Sequence, residues 1–257
     1  MDLSLLATAV LCLLVFVAGL VDSIAGGGGL ISLPAYLAIG LPPHAALATN
    51  KFSSVLGTLT AAWRYWRAGK MHVSTALLAA AGALAGSAAG ARAVLWVSPA
   101  AVHTVVLVLV PTALLVLLLQ DRLTRRRAGN DAAGPPGHRG AKALLVGLVI
   151  GAWDGFFGPG TGTFLTIAFH VLLRFDLLTA SGNARLANLA SNVGAVVVFL
   201  LDARVVFPLA LYAAAAGIAG NQIGSMLALR KGERVIKPFL VIVLVLLLAE
   251  VVRRRFG

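Results

Sequence analysis

The chain has 257 residues, 60% of them hydrophobic and 12% charged, with a formal net charge of +12 and a mean hydropathy of +0.95. Soluble domains average roughly 45–50% apolar and about 25% charged residues, so this chain has too little polar side chain for a soluble globule and too much apolar side chain for disorder. The positive charge falls between apolar runs, without the aromatic-interleaved platform of single-strand binders, which argues against nucleic acid and for the loops and helix ends of a membrane protein.

Four charge-free runs, residues 3–21, 71–91, 93–120 and 205–229, are 19 to 28 residues long. Roughly 20 mostly apolar residues span ~30 Å of hydrocarbon as a helix. The first run carries Asp2 and no Lys or Arg ahead of it, unlike a cleaved signal peptide. It leads to Asp22 and then to Gly26, Gly27, Gly28 and Gly29, which cannot hold a stable helix because each glycine costs ~1 kcal/mol relative to Ala. A short apolar stretch follows, then His44 after two prolines, expected in an interfacial loop, and a polar patch of Thr49, Asn50, Lys51, Ser53 and Ser54. Trp63, Tyr65 and Trp66 beside Arg64 and Arg67 look like an interfacial belt. Two further spans lead to residues 121–141, rich in Arg, Gly and Pro, which read as a flexible cytoplasmic linker.

The second half repeats the first. Gly19 and Asp22 followed by Gly26 match Gly151 and Asp154 followed by Gly158, an offset of 132. At an offset of 134, Lys51 meets Arg185, Ser54 meets Asn188, and Gly86 and Gly90 meet Gly220 and Gly224. The chain is therefore expected to be an all-α polytopic membrane protein of about eight segments in two homologous repeats, 1–120 and 142–257, each with a glycine-broken helix. Irregular backbone at membrane depth is tolerated only where it is buried in protein or lines a wet cavity. Broken helices in matching positions of two repeats are the best sequence pointer to a transporter binding site. The span count leaves one of the basic clusters, Arg230 to Lys237 or Arg253 to Arg255, on the wrong side unless a broken segment forms a hairpin. Parallel and inverted repeats both stay open.

Lys51 and Arg185 occupy equivalent places in weakly polar segments. A cation deep in a bilayer costs at least ~2.5–3.5 kcal/mol and is usually paired or faces a pathway. Their equivalence favours a shared anion site over snorkelling to the headgroups. The breaks offer a second device, since helix N-termini restarting at Gly28 and Gly29, and at Gly160 and Thr161, would present free N–H groups to an oxyanion. Thr49, Asn50, Ser54, Asn183, Asn188 and Asn192 could add hydrogen bonds, or serve only as interhelical contacts. Asp22 and Asp154 could couple protons or could bond the freed backbone of the breaks. The glycine-rich segment GPGTGTF lacks the Gly-Lys-Ser/Thr of a nucleotide-binding loop. Ser181 with His170 falls short of a nucleophile motif, with Thr179 two residues before the serine, so an enzyme is not expected; a passive channel is the nearer rival. Gly86 with Gly90 and Gly220 with Gly224 read as close-packing faces. Exposed small-residue faces suggest a homodimer. The one cysteine, Cys12, forms no internal disulfide, and no metal or cofactor is expected.

In residues 19–51, where Asp22 and the glycine run are followed by Ala48-Thr49-Asn50-Lys51, and again in residues 151–192, the chain resembles the TauE/SafE family of sulfite and organosulfonate exporters. The second copy has GPGTG for the plain glycine run and Gly182-Asn183-Ala184-Arg185 for the lysine block. The resemblance implies a multi-pass protein of the cytoplasmic membrane that exports small anions such as sulfite, sulfoacetate or related sulfonates.

Overall fold

A computed structural model describes residues 5–101 and 139–231. The expected linker at 121–141 falls almost wholly outside them, as do the apolar run beyond residue 101 and the basic residues Arg234, Lys237 and Arg253 to Arg255. Eight helices lie wholly within the described residues: α1 (Leu5–Ala25), α2 (Gly29–Ala38), α3 (Pro43–Arg67), α4 (Val73–Leu95), α5 (Arg139–Phe156), α6 (Thr161–Val171), α7 (Leu177–Leu201) and α8 (Phe207–Lys231). Among them α1, α4 and α7 are long and apolar enough to cross a membrane. The order long, short, long, long occurs twice.

Local sequence explains the boundaries. Pro42 and Pro43 open α3, where a missing N–H and a fixed φ suit the first turn. Asp176 caps α7 by accepting from the Thr179 amide at 3.0 Å. Gly26, at φ +85°, ends α1, and Gly158, at φ +98°, ends α5, in the left-handed region that glycine enters most easily.

The breaks are reversals. Leu30 and Ile31 at the start of α2 cluster with Val21 and Ile24 of α1, whereas Tyr36 near its end clusters with Leu11 and Val15. Helix α2 thus turns back along α1. Helix α6 does the same on α5: Thr161 at its start meets Asp154, and Phe169 near its end packs with Ala143 and Val146. At ~1.5 Å per residue these short helices reach only ~15–17 Å, about half a bilayer core.

Helix direction follows from the close contacts. The Tyr65 hydroxyl near the end of α3 donates to the Ser23 carbonyl near the end of α1, at 3.1 Å, so α1 and α3 run in the same sense. His44 at the start of α3 bonds the Val94 carbonyl at the end of α4, at 3.1 Å, so α4 runs back. Helices α4 and α5 are parallel, because a Cβ built on Gly82, Gly86 or Gly90 would overlap the carbonyl oxygen of Leu144, Leu148 or Ala152, each step matching. Helix α5 returns the contact, with Gly147, Gly151 and Gly155 against Ala79, Ala83 and Ser87. Helix α8 lies parallel to α1 in the same manner, Gly220 on the Phe16 carbonyl and Gly224 on that of Leu20. So α5 runs opposite to α1, and the two sets of four helices are related by inversion. The last helix of each set packs on the first helix of the other.

Two expectations change, and the open question of the basic clusters closes for Arg230 and Lys231. His44 is buried in the first turn of α3 and not in a loop, because its ring is needed by the Val94 carbonyl. Tyr65 is fully buried, its hydroxyl held by Ser23, while Trp63 and Trp66 are about half exposed as a belt would be. The reversals also place the end of α8, with Arg230 and Lys231, at the same end as Arg64, Arg67 and Lys70. That end also holds Arg139, Lys142 and Arg174; the opposite end holds Arg92 and the paired Asp202 and Arg204.

The close packing predicts unequal tolerance within α8. Gly220→Ala places a methyl on the Phe16 carbonyl, whereas Gly217→Ala meets the Val15 side chain at an ordinary 3.5 Å. Overpacking costs typically ~1–3 kcal/mol, so thermal unfolding in detergent is expected to fall by several degrees for Gly220→Ala and to change little for Gly217→Ala.

Candidate functional site

The two hairpin tips meet inside the bundle. The Thr163 amide donates to the Gly26 carbonyl at 3.2 Å, and the Thr163 hydroxyl donates to the Ala25 carbonyl at 2.7 Å. A Cβ on Gly26 would collide with the backbone of Gly162 and Thr163, so the tips approach this closely only with glycine there. The first amides of α6 are thus partly used in joining the two tips.

Lys51 and Arg185 are each the ninth residue of a 25-residue helix, α3 and α7. Each is paired with a carboxylate from the opposite half. The Lys51 ammonium lies 2.5 Å from Asp154 Oδ1, with the side chains only 3% and 2% exposed. It also donates to Asn192 Oδ1 at 3.1 Å. Asp154 is completed by two hydroxyls, Thr161 to Oδ1 at 2.7 Å and Ser191 to Oδ2 at 2.5 Å. Arg185, fully buried, donates from Nη1 to Asp22 Oδ2 at 3.1 Å. Asp22, 15% exposed, also accepts the Gly28 amide at 3.3 Å, tying α1 to the start of α2. Arg185 Nε and Nη2 have no partner among the described residues.

A cavity of about 50 Å³ opens beside these pairs, room for a few water-sized groups. Of the residues expected from sequence, Asp22, Gly28, Gly29, Asn50, Lys51, Ser54, Asp154, Gly160, Thr161, Asn188 and Asn192 line it. Arg185 is not in the wall and reaches the cavity through Asp22. Thr49 and Asn183 are elsewhere: the Thr49 hydroxyl accepts the Val206 amide at 3.1 Å, and Asn183 Oδ1 accepts the His72 amide at 2.8 Å. Both brace the turns at the ends of helices.

Ser53, from the polar patch around Lys51, also lines it, whereas sequence reasoning missed Ser32, Thr58, Gly217 and Asn221 in the wall. Asn221 sits in the glycine series of α8, one turn from Gly217, whose carbonyl it bonds at 3.0 Å. An amide in a row of close-packing glycines was the available signal. Among the described residues no group of three His, Cys, Asp or Glu could hold a metal.

The lysine has three donors. Two go to Asp154 and Asn192, and one is left for a ligand oxygen in the cavity. Removing one member of a buried pair leaves an uncompensated charge, at ~3–5 kcal/mol, whereas replacing both by apolar groups is often neutral. Lys51→Met is therefore expected to lower the thermal midpoint steeply, and Lys51→Met with Asp154→Leu to recover most of it, read as tryptophan fluorescence on heating.

Comparison with known proteins gives a consistent picture. Residues 11–251 match the family model described as sulfite exporter TauE/SafE. The chain is 34% identical over 252 residues to "Probable membrane transporter protein YfcA" of Escherichia coli K12, covering 98% of this chain and 92% of that one. It is 37% identical over 246 residues to "Probable membrane transporter protein ORF9" of a Sinorhizobium species, covering 94% and 91%. A "Probable membrane transporter protein" of Haemophilus influenzae is 31% identical over 252 residues, covering 98% and 97%. No solved structure matches the chain. With model and relatives both spanning nearly all of it, this membrane transporter, which is not an enzyme, belongs to the TauE/SafE sulfite exporter family.

Proposed function

We propose that the protein is a secondary carrier that exports small sulfur-containing anions, sulfite, sulfoacetate or related sulfonates, across the cytoplasmic membrane. The observation that carries this reading is the cavity at the meeting of two helical reversals, with the third donor of Lys51 available in its wall. Asn50, Asn188 and Asn192 surround it with amide groups suited to oxyanion oxygens. Sulfite has four non-hydrogen atoms, a size that a cavity of about 50 Å³ accommodates.

The two sets of four helices are two homologous repeats of inverted topology, and transport proceeds by rocking one against the other. In the state described, Lys51 borders the cavity and Arg185 is sealed away. Inversion supplies a second state in which Arg185, with two spare donors, takes the wall position and Lys51 is sealed. Guanidinium forks suit planar and tripodal oxyanions. The basic end of the bundle faces the cytoplasm, as loops rich in Lys and Arg do.

Two experiments test this. Purified protein in proteoliposomes is expected to show saturable flux of sulfite, sulfoacetate or methanesulfonate, with sulfate and a carboxylate as competitors. Lys51→Gln and Arg185→Gln should each lower it at least tenfold. Undiminished flux in both variants removes the anion site from these residues, and non-saturable flux makes the protein a channel. For orientation, in a Cys12→Ser background, Lys70→Cys should be shielded from impermeant maleimide in whole cells and Ser98→Cys labelled.

A further inference from the structure

The interior of the bundle contains four charged side chains among the described residues, and they cancel. Lys51 pairs with Asp154 and Arg185 with Asp22, leaving no spare cation. The remaining described cations stand at the two ends of the bundle. An anion that enters the cavity, one negative charge for a simple sulfonate, therefore meets nothing among the described residues that balances it. An uncompensated buried charge is costly enough that a neighbouring group changes protonation instead.

We propose that binding of an anion at Lys51 is accompanied by uptake of one proton on Asp154, so that each monovalent anion crosses together with one H+. This rests on the anion site proposed above and names its coupling ion. When the third donor of Lys51 engages the anion, one ammonium is shared between two negative charges and no longer neutralises Asp154 alone. The other contacts of Asp154 are the Thr161 and Ser191 hydroxyls. A hydroxyl accepts as readily as it donates, and Thr161 can give its own hydrogen to the Gly158 carbonyl, 2.7 Å away. A protonated Asp154 thus stays fully hydrogen-bonded.

Asp22 lacks this option. Its partners are a guanidinium that never loses its charge and the Gly28 amide, which can only donate. Among the described residues no other titratable side chain faces Asp154 from the elements around it. Helix α3 brings Lys51 and α7 brings Ser191 and Asn192, its Arg185 being committed to Asp22. Helix α4 brings Ser87, with Arg92 exposed at its end. Helix α6 brings Thr161, its His170 lying at the far end on the Phe175 carbonyl. The proton comes from the aqueous side to which the cavity opens. It leaves when the anion has gone and Lys51 again neutralises Asp154 alone.

The test uses methanesulfonate, whose own charge is constant over the pH range. Proteoliposomes of the full chain trap a pH-sensitive dye, with membrane potential set by potassium and valinomycin. An inward methanesulfonate gradient should acidify the lumen with one proton per anion, at a rate indifferent to the imposed potential. Anion entry without acidification, at a rate that follows the potential, overturns the coupling and leaves the anion carrier standing. No entry of methanesulfonate, sulfite or sulfoacetate overturns the carrier itself and the coupling with it. Binding to the detergent-purified protein should weaken toward tenfold per unit of rising pH, the limit for one linked proton, and become flat in Asp154→Asn. Where Asp154→Asn does not fold, Asp154→Glu keeps the acid, so one proton per anion should persist with a displaced midpoint. An unchanged midpoint places the proton elsewhere.

Discussion

A charge inside a bilayer has to meet its opposite, and here it does so in the other half of the molecule. Lys51 of the first half takes Asp154 of the second, and Arg185 of the second takes Asp22 of the first. Each carboxylate sits just before a glycine reversal and each cation on the long helix that follows, so neither half neutralises its own charges. The pairs thereby draw both reversals to the middle of the bundle. There the tips touch through Gly26, Gly162 and Thr163, and a cavity is left beside them.

The surrounding frame has to bring backbones close without help from the hydrophobic effect, which does not act between helices in lipid. Glycines every fourth residue do this on α4 and α5, where the two helices place glycine against carbonyl in both directions. Helices α1 and α8 repeat the arrangement through Gly19, Gly220 and Gly224. These two close-packed pairs each join the first helix of one half to the last of the other. Between these pairs α3 and α7 face each other, where Lys51 meets Asn192. The ion pairs and the cavity lie at that seam.

Much of this was legible in the residues. Charge-free runs identified the class, and the offsets between Asp22 and Asp154 and between Lys51 and Arg185 selected the four side chains that meet. Which carboxylate meets which cation was not legible, because equal spacing in both halves permits pairing within a half as well as between halves. The reversal at the glycines was equally hidden. Periodicity reports that a helix stops, but not whether the next one continues or turns back; the shared clusters of Tyr36 with Leu11 and of Phe169 with Ala143 decide it. Thr49 and Asn183 looked like ligands because they adjoin Lys51 and Arg185 in sequence. Both instead serve backbone amides in the turns at the helix ends, Thr49 that of Val206 and Asn183 that of His72.

The pairing between halves is most directly tested by double-mutant cycles on thermal stability, combining Lys51→Met once with Asp154→Asn and once with Asp22→Asn. Side chains in direct contact couple by about 0.5–3 kcal/mol, and separated ones add within ~0.5 kcal/mol. A coupling in that range with Asp154, clearly larger than the coupling with Asp22, is the expected result. Strong coupling of Lys51 to Asp22 with none to Asp154 would mean that each half neutralises its own charges, and would contradict the exchange on which the rest of the structure depends.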